Sequence, residues 1–308
     1  MAQLTVEHVL SQAQEGRSLH HAELSQINLK GANLEYFSLA HSYLRLANLA
    51  EAFCQGADFG DTTLTRADLS RGCFESATFE DAQLIRAVCK GANFRGIKAS
   101  RAVFRSAAMS QANLTGAELN WADFQEAYGK DTVFTGASLV EANFLNSDFS
   151  HCVFSGATLT HSDWDQARLS GVMMNGANLE QAHFPEAYLV EANFSGANLL
   201  NANFERANLS KAILNGVSLD WASLVETKLS RANLSEASLF GTSLEGANLS
   251  GANLSGADLS HANLEGALLK GVSFEGCQVD GALFTDARGL TSTQKRWLQQ
   301  HGALNIEC

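Results

Sequence analysis

The chain has 308 residues, 45% of them apolar, with 33 acidic against 21 basic side chains for a formal net charge of −12. That balance disfavours direct nucleic-acid binding, and the apolar runs fall far short of the ~20 residues that a membrane-spanning helix needs. The first residues, MAQLTVEHVLSQAQEGR, are too polar for a Sec signal peptide, which points to a cytoplasmic location and leaves non-classical secretion open.

Residues 5–16 read as a short helix. Thr5 can serve as N-cap, Val6, Val9, Leu10 and Ala13 fall at helical spacing, and Gly16 supplies a stop. Such a helix would cover the open edge of the first coil, where unpaired backbone groups would otherwise recruit another chain.

Beyond this helix the chain repeats every five residues. From Leu19 to Phe284 every fifth residue is Leu or Phe except Cys54, Cys89, Ala99, Met109, Gly129, Trp164, Met174 and Val279. From Ala22 to Ala282 the residue two before each centre is small, with Ile27, Phe37 and Ile97 as the exceptions. Between Ser235 and Gly266 the unit is almost invariant as Ala-Asn/Asp-Leu-x-x. A period of five matches neither the 3.6 of a helix nor a long run of the strand's 2, so the chain must turn a corner in every unit.

A slower period of twenty sets the size of the circuit. Glycine recurs at 56, 96, 116, 136, 156, 176, 196, 216, 256 and 276, and the centres Phe104, Phe124, Phe144, Trp164, Phe184 and Phe204 form one aromatic column. Twenty is four fives, which predicts a square coil. In these features the chain resembles the pentapeptide-repeat proteins. The resemblance covers about residues 18–288 and implies an all-β solenoid, a right-handed quadrilateral parallel β-helix with four pentapeptides per coil and the centre and small residue pointing inward. The repeat length then gives about 13 coils and, at ~4.8 Å per strand spacing, a rod of roughly 60 to 65 Å. The expected organisation is an N-terminal capping helix in 1–17, a single repeat domain in 18–288, and a capping helix and tail in 289–308.

Along the repeat the outward charges change sign. Residues 66–105 carry a net +4 and residues 117–226 a net −10. Folded onto four faces, one face shows Arg45, Arg66, Arg86 and Arg105 on successive coils, then Asp123, Glu126, Asp163, Asp165, Glu186, Glu205 and Glu226. Polar outward positions serve solubility, and the same row also reads as a docking stripe for a partner of complementary charge. A second corner is apolar where the repeat prefers Ser, Thr, Glu or Gly: Trp121, Val140, Leu200, Trp221 and Phe240. Scattered hydrophobes are ordinary on surfaces, whereas two Trp and a Phe in one column suggest an interface.

Gly129 is the one centre without a side chain and should leave a dent unless Tyr128 or another ring folds in; beside it stand Lys130, His151 and the column Tyr128, Asp148, Arg168, Tyr188. Pro185 follows a centre, a turn position. After Phe284, Thr291 and Gln294 form a capping box for a helix over about 292–301, stopped by Gly302, with Trp297 and Leu298 free to lie on the last coil or to form a dimer contact. The six cysteines follow the repeat and not a disulfide plan, which suits a reducing compartment.

No phosphate loop, nucleophile elbow or Cys-x-x-Cys pair occurs, and no cofactor is implied. The nearest approach to a metal site is His161, Asp163 and His183, with Glu141 one coil below; a surface of identical rungs brings such residues together by chance, and no metal site is assigned. The sequence therefore reads as a non-enzymatic protein-binding rod, an adaptor or regulator in a bacterial cytoplasm with a partner of unknown identity. Resemblance to the gyrase-protecting members implies an alternative, a DNA mimic that enters the cationic channel of a topoisomerase. A secretion-associated adaptor or effector is the third reading.

Overall fold

The computed structural model describes residues 4–306, which fall into two compact units that divide between Thr158 and Leu159. Both are built from the same local geometry. In each pentapeptide the Ala-Asn/Asp-Leu triplet is extended and the next two residues turn. The turn closes with a hydrogen bond from the next small residue to the centre, as from Ala32 N–H to Leu29 O at 3.0 Å. The residue two past the centre is left-handed, with φ near 60° at Leu46 and Arg101 alike. The Asn or Asp before the centre holds this bend: Asn143 Oδ1 accepts from Leu145 N–H, and Asn193 Oδ1 from Ser195 N–H, both at 2.9 Å. An Asx turn of this kind explains the motif's preference for Asn and Asp, which is a structural demand and not a chemical one.

Successive circuits pair in parallel through single residues twenty apart. Tyr43 pairs with Thr63 and Thr63 with Gln83 in the first unit; Asn203 pairs with Ser223 and Ser223 with Ser243 in the second. Leu44 N–H donates to Thr63 O at 2.8 Å and Thr63 N–H to Ser42 O at 3.0 Å, so each bridge satisfies backbone groups on both neighbours.

The centres and small residues point inward and are almost all fully buried. In the first unit the rings stack along the register: Phe104 on Phe124 at 4.9 Å, Phe124 on Phe144 at 4.8 Å, Phe134 on Phe154 at 4.5 Å. In the second, Trp164 lies on Phe184 at 5.8 Å and Phe184 on Phe204 at 4.8 Å. Trp164 brings a polar N–H into this core, and Ser162, in the small column two residues earlier, accepts it at 2.8 Å. Ser147 is also fully buried, yet its hydroxyl has no hydrogen-bond partner among the described residues. The two serines are therefore expected to respond oppositely to alanine. Ser162→Ala should destabilise by about 1–3 kcal/mol because the indole loses this acceptor, whereas Ser147→Ala should leave the Tm unchanged or raise it.

Gly129 leaves no void. Tyr128 is exposed and does not fold in. The space is taken by Phe149 and Thr132: a Cβ at Gly129 would sit 2.8 Å from the Phe149 ring and 2.5 Å from Thr132 Oγ1.

The first unit begins with α1, Val6–Gln14, whose N-cap Thr5 accepts from His8 N–H. Val9 is buried, and Ile27 and Phe37, the oversized residues of the small column, are buried as well. The second unit ends with α2, Ser292–Gln300, with the full Thr291/Gln294 capping box. Leu298 is buried and Trp297 lies 6.5 Å from Phe274. Gln294 also reaches past the box, its Nε2 donating to Val272 O at 2.8 Å. Beyond the helix the chain returns to pair Leu304 in parallel with Leu283, with Leu304 N–H donating to Ala282 O at 2.8 Å. This added rung was not legible in the sequence: Leu304 falls on the phase of the centres, yet it pairs with Leu283, which precedes a centre, one residue out of the twenty-residue register.

Burial pushes the Cys54 thiol far up, those of Cys89 and Cys152 up to about 12 and that of Cys277 up to about 11. These residues stay protonated and act as small hydrophobes. Cys73 is half-buried, and Cys308 lies outside the described residues.

Candidate interaction surfaces

The corner after centres 44, 64, 84 and 104 of the first unit carries one arginine per circuit, because the two turn positions are the ones whose side chains must leave the core. Arg45, Arg66, Arg86 and Arg105 line a groove of about 440 Å³ together with Thr65, Ile85, Ser106, Gln125 and Glu126. Arg105 is already engaged, its Nε 2.5 Å from Asp123 Oδ2. Arg45, Arg66 and Arg86 make no ion pair among the described residues, and all three are exposed. The groove is thus a cationic strip with polar donors beside it.

In the second unit the equivalent corner holds one carboxylate on each of seven successive circuits: Asp165, Glu186, Glu205, Glu226, Glu245, Glu265 and Asp286. The last three lie beyond the acidic stretch picked out by charge counting; the twenty-residue register is the signal that finds them. Arg206 is the single cation of the row, 2.9 Å from Glu226 and 3.9 Å from Glu205. Unit charges at 4 Å repel by about 1 kcal/mol in water, so carboxylates at the ~4.8 Å circuit spacing work against one another unless a cation meets them. Asp163 stands apart from this row, one residue before a centre, where its Oδ1 accepts from Asp165 N–H at 3.1 Å.

The apolar corner is divided between the units. Trp121 is 51% exposed in the first. On that unit's corresponding column, Arg101 grips Asp81 at 2.8 and 2.6 Å and holds its carboxyl below the usual carboxylate range, chiefly through these hydrogen bonds. In the second unit Trp221, 59% exposed, meets Phe240 edge-on at 5.3 Å, and Phe240 meets His261 at 5.3 Å. Gly241 allows this: its φ is +63°, and a Cβ there would lie 2.6 Å from the Trp221 ring. Leu200 is half-buried on the preceding circuit. The structure thus adds His261 to the predicted column and separates Trp121 from it by unit.

Asp163 and His183 pair on adjacent circuits, with His161 exposed; Glu141 belongs to the first unit. No three His, Cys, Asp or Glu side chains among the described residues come together to hold a metal ion. Near Gly129, Tyr128 pairs with Asp148 in one unit and Arg168 with Tyr188 in the other, and Lys130 and His151 are exposed. No helix among the described residues is long and apolar enough to cross a membrane.

The repeat has counterparts in the sequences of known proteins. A family model described as pentapeptide repeats matches residues 42–81, 82–120, 117–156, 187–224, 218–256 and 247–286, and a second of the same description matches 139–183. The chain belongs to the pentapeptide-repeat family. A solved relative is HetL of the cyanobacterium Nostoc sp. strain PCC 7120, a pentapeptide-repeat protein involved in regulating heterocyst differentiation. It is 30% identical over 86% of this chain and 97% of its own, with a TM-score of 0.24. A pentapeptide-repeat protein of the Arabidopsis thaliana thylakoid lumen is 34% identical over 36% of this chain and 74% of its own, with a TM-score of 0.26. QnrB1, a plasmid-mediated fluoroquinolone resistance protein, is 20% identical over 72% of this chain and 94% of its own, with a TM-score of 0.31. Among curated proteins no sequence matches the chain.

Proposed function

We propose that this pentapeptide-repeat protein is a non-enzymatic scaffold that binds a protein partner through its patterned surface. Residues 18–288 would form the right-handed quadrilateral β-helix that family resemblance implies, about 13 circuits capped by the segments 1–17 and 289–308. The observation that carries the reading is the aromatic column of Trp221 and His261, both exposed, with the half-buried Phe240 between them, on a corner where most circuits carry polar residues. Aromatic rings held rigidly on a backbone ladder bury large area at small entropic cost, as interface anchors do. In the test, wild-type protein and the Leu200→Ser/Trp221→Ser/Phe240→Ser variant are compared as baits in host lysate. One protein recovered by the wild type and lost by the equally folded variant supports the reading; recovery of the same partners by both overturns it.

The carboxylate row of the second unit favours a second reading, a DNA mimic acting on a topoisomerase. The arginine groove of the first unit opposes it, since cations repel a cationic channel. Inhibition of gyrase supercoiling that is lost on reversing Asp165, Glu186 and Glu205 to Lys would support the mimic, and no effect on supercoiling would remove it.

A further inference from the structure

The arginine groove and the carboxylate row are matched in pitch, sign and register. Each presents one charge per circuit, and both inherit the same ~4.8 Å spacing from their own backbone ladders. An extended acidic peptide repeats its same-side residues at ~6.6 to 6.8 Å and would fall out of step. A second ladder of the same kind keeps step.

The register narrows the match. The arginines stand one, two, two and one residues past their centres, at 45, 66, 86 and 105. The carboxylates at 226, 245, 265 and 286 stand two, one, one and two residues past theirs. When two such corners face each other with their axes parallel, the first turn position of one lies opposite the second of the other, so the two sequences interlock as 45 with 226, 66 with 245, 86 with 265 and 105 with 286. Arg66, Arg86, Glu245 and Glu265 are exposed and make no ion pair among the described residues. Thr65 beside the arginines offers a further donor to an arriving carboxylate, while the Ser106 hydroxyl already donates to Glu126 at 3.1 Å.

We propose that the arginine groove of one molecule receives the Glu226, Glu245, Glu265 and Asp286 row of a second copy of this chain. The two faces differ, so the contact is head-to-tail, and a bound copy still presents its own groove. The inference is independent of the aromatic column and of whatever protein that column binds. Because the contact is electrostatic and at the surface, salt must weaken it.

The test is sedimentation velocity on the full-length protein across a concentration series at low and high ionic strength. The wild type is expected to form dimers and larger species at low salt and to return to monomer at high salt. Arg66→Glu/Arg86→Glu and Glu245→Arg/Glu265→Arg should each remain monomeric at the concentrations where the wild type associates, because in each variant both faces carry one sign. Mixed in equal amounts, the two variants should associate again, since each reversed face now meets its complement. Melting curves like that of the wild type show that the substitutions act on association and not on folding. A wild type that is monomeric at every concentration and salt overturns the proposal. So does association that survives in either variant, or a mixture that stays monomeric.

Discussion

Phe144→Asp is expected to be the most damaging single substitution in the first unit. Phe144 is fully buried, stacked on Phe124 at 4.8 Å, and met edge-on by Phe149 at 5.4 Å, Phe154 at 6.0 Å and Phe134 at 6.4 Å. A carboxylate there would stand among the rings of Phe124, Phe134, Phe149 and Phe154, which are hydrocarbon. Removing the ring alone costs about 3–5 kcal/mol, and the unpaired charge adds several more unless the acid takes up a proton. In a repeat array each circuit is supported only by its neighbours, so the loss spreads along the register instead of staying local. Thermal unfolding followed by far-UV circular dichroism should show a first transition at much lower temperature, or no folded first unit at all. Phe144→Leu, which keeps the repeat's preference, should lose far less. An Asp variant that melts with the wild type would mean that the centre column does not face inward.

Gly129→Leu should also destabilise, against the simplest reading of the repeat. Judged by sequence, leucine at a centre restores the consensus and ought to help. In the structure the place is filled, with Phe149 and Thr132 inside the distance at which even a Cβ can stand, and Met109 Cβ at 3.2 Å. Thr132 cannot simply rotate away, since its one hydroxyl hydrogen is held between two carbonyls, Met109 O at 2.8 Å and Gly129 O at 2.9 Å. Overpacking of this kind costs about 1–3 kcal/mol, so the Tm should fall. A rise in Tm would show that Phe149 retreats without loss. Pairing Gly129→Leu with Phe149→Leu separates the two explanations, because relief of the clash should return part of the stability lost by the single variant.

Much of the fold was open to reading along the chain. Leu44, Leu64 and Leu84 announce a buried column, Ala47, Ala67 and Ala87 its narrow neighbour, and the glycines at 56, 96 and 116 the left-handed corner. Thr5, and Thr291 with Gln294, announce the two helix starts that the structure places at Val6 and Ser292. The candidate surfaces were only partly open. The strongly acidic stretch ends at Glu226, so composition does not mark Glu245, Glu265 and Asp286, and hydropathy does not mark His261 as a neighbour of Trp221 and Phe240. Nothing in the sequence said that Arg105 would spend its charge on Asp123.

The division has a physical cause. A five-residue period is imposed by the backbone: the corner needs a left-handed residue, the Asx turn needs an oxygen before the centre, and the interior admits one large and one small side chain per pentapeptide. These demands act within a few residues, so the sequence alone determined the phase, the inward faces, the twenty-residue pairing and the caps. Which ring fills the space at Gly129, which carboxylate reaches Arg105, how Leu304 returns to the last circuit and how Trp221, Phe240 and His261 come into line were left to the tertiary structure. Each depends on the rotamer and reach of side chains, or on a return of the chain, between circuits whose residues are distant in sequence, and no local period encodes those contacts.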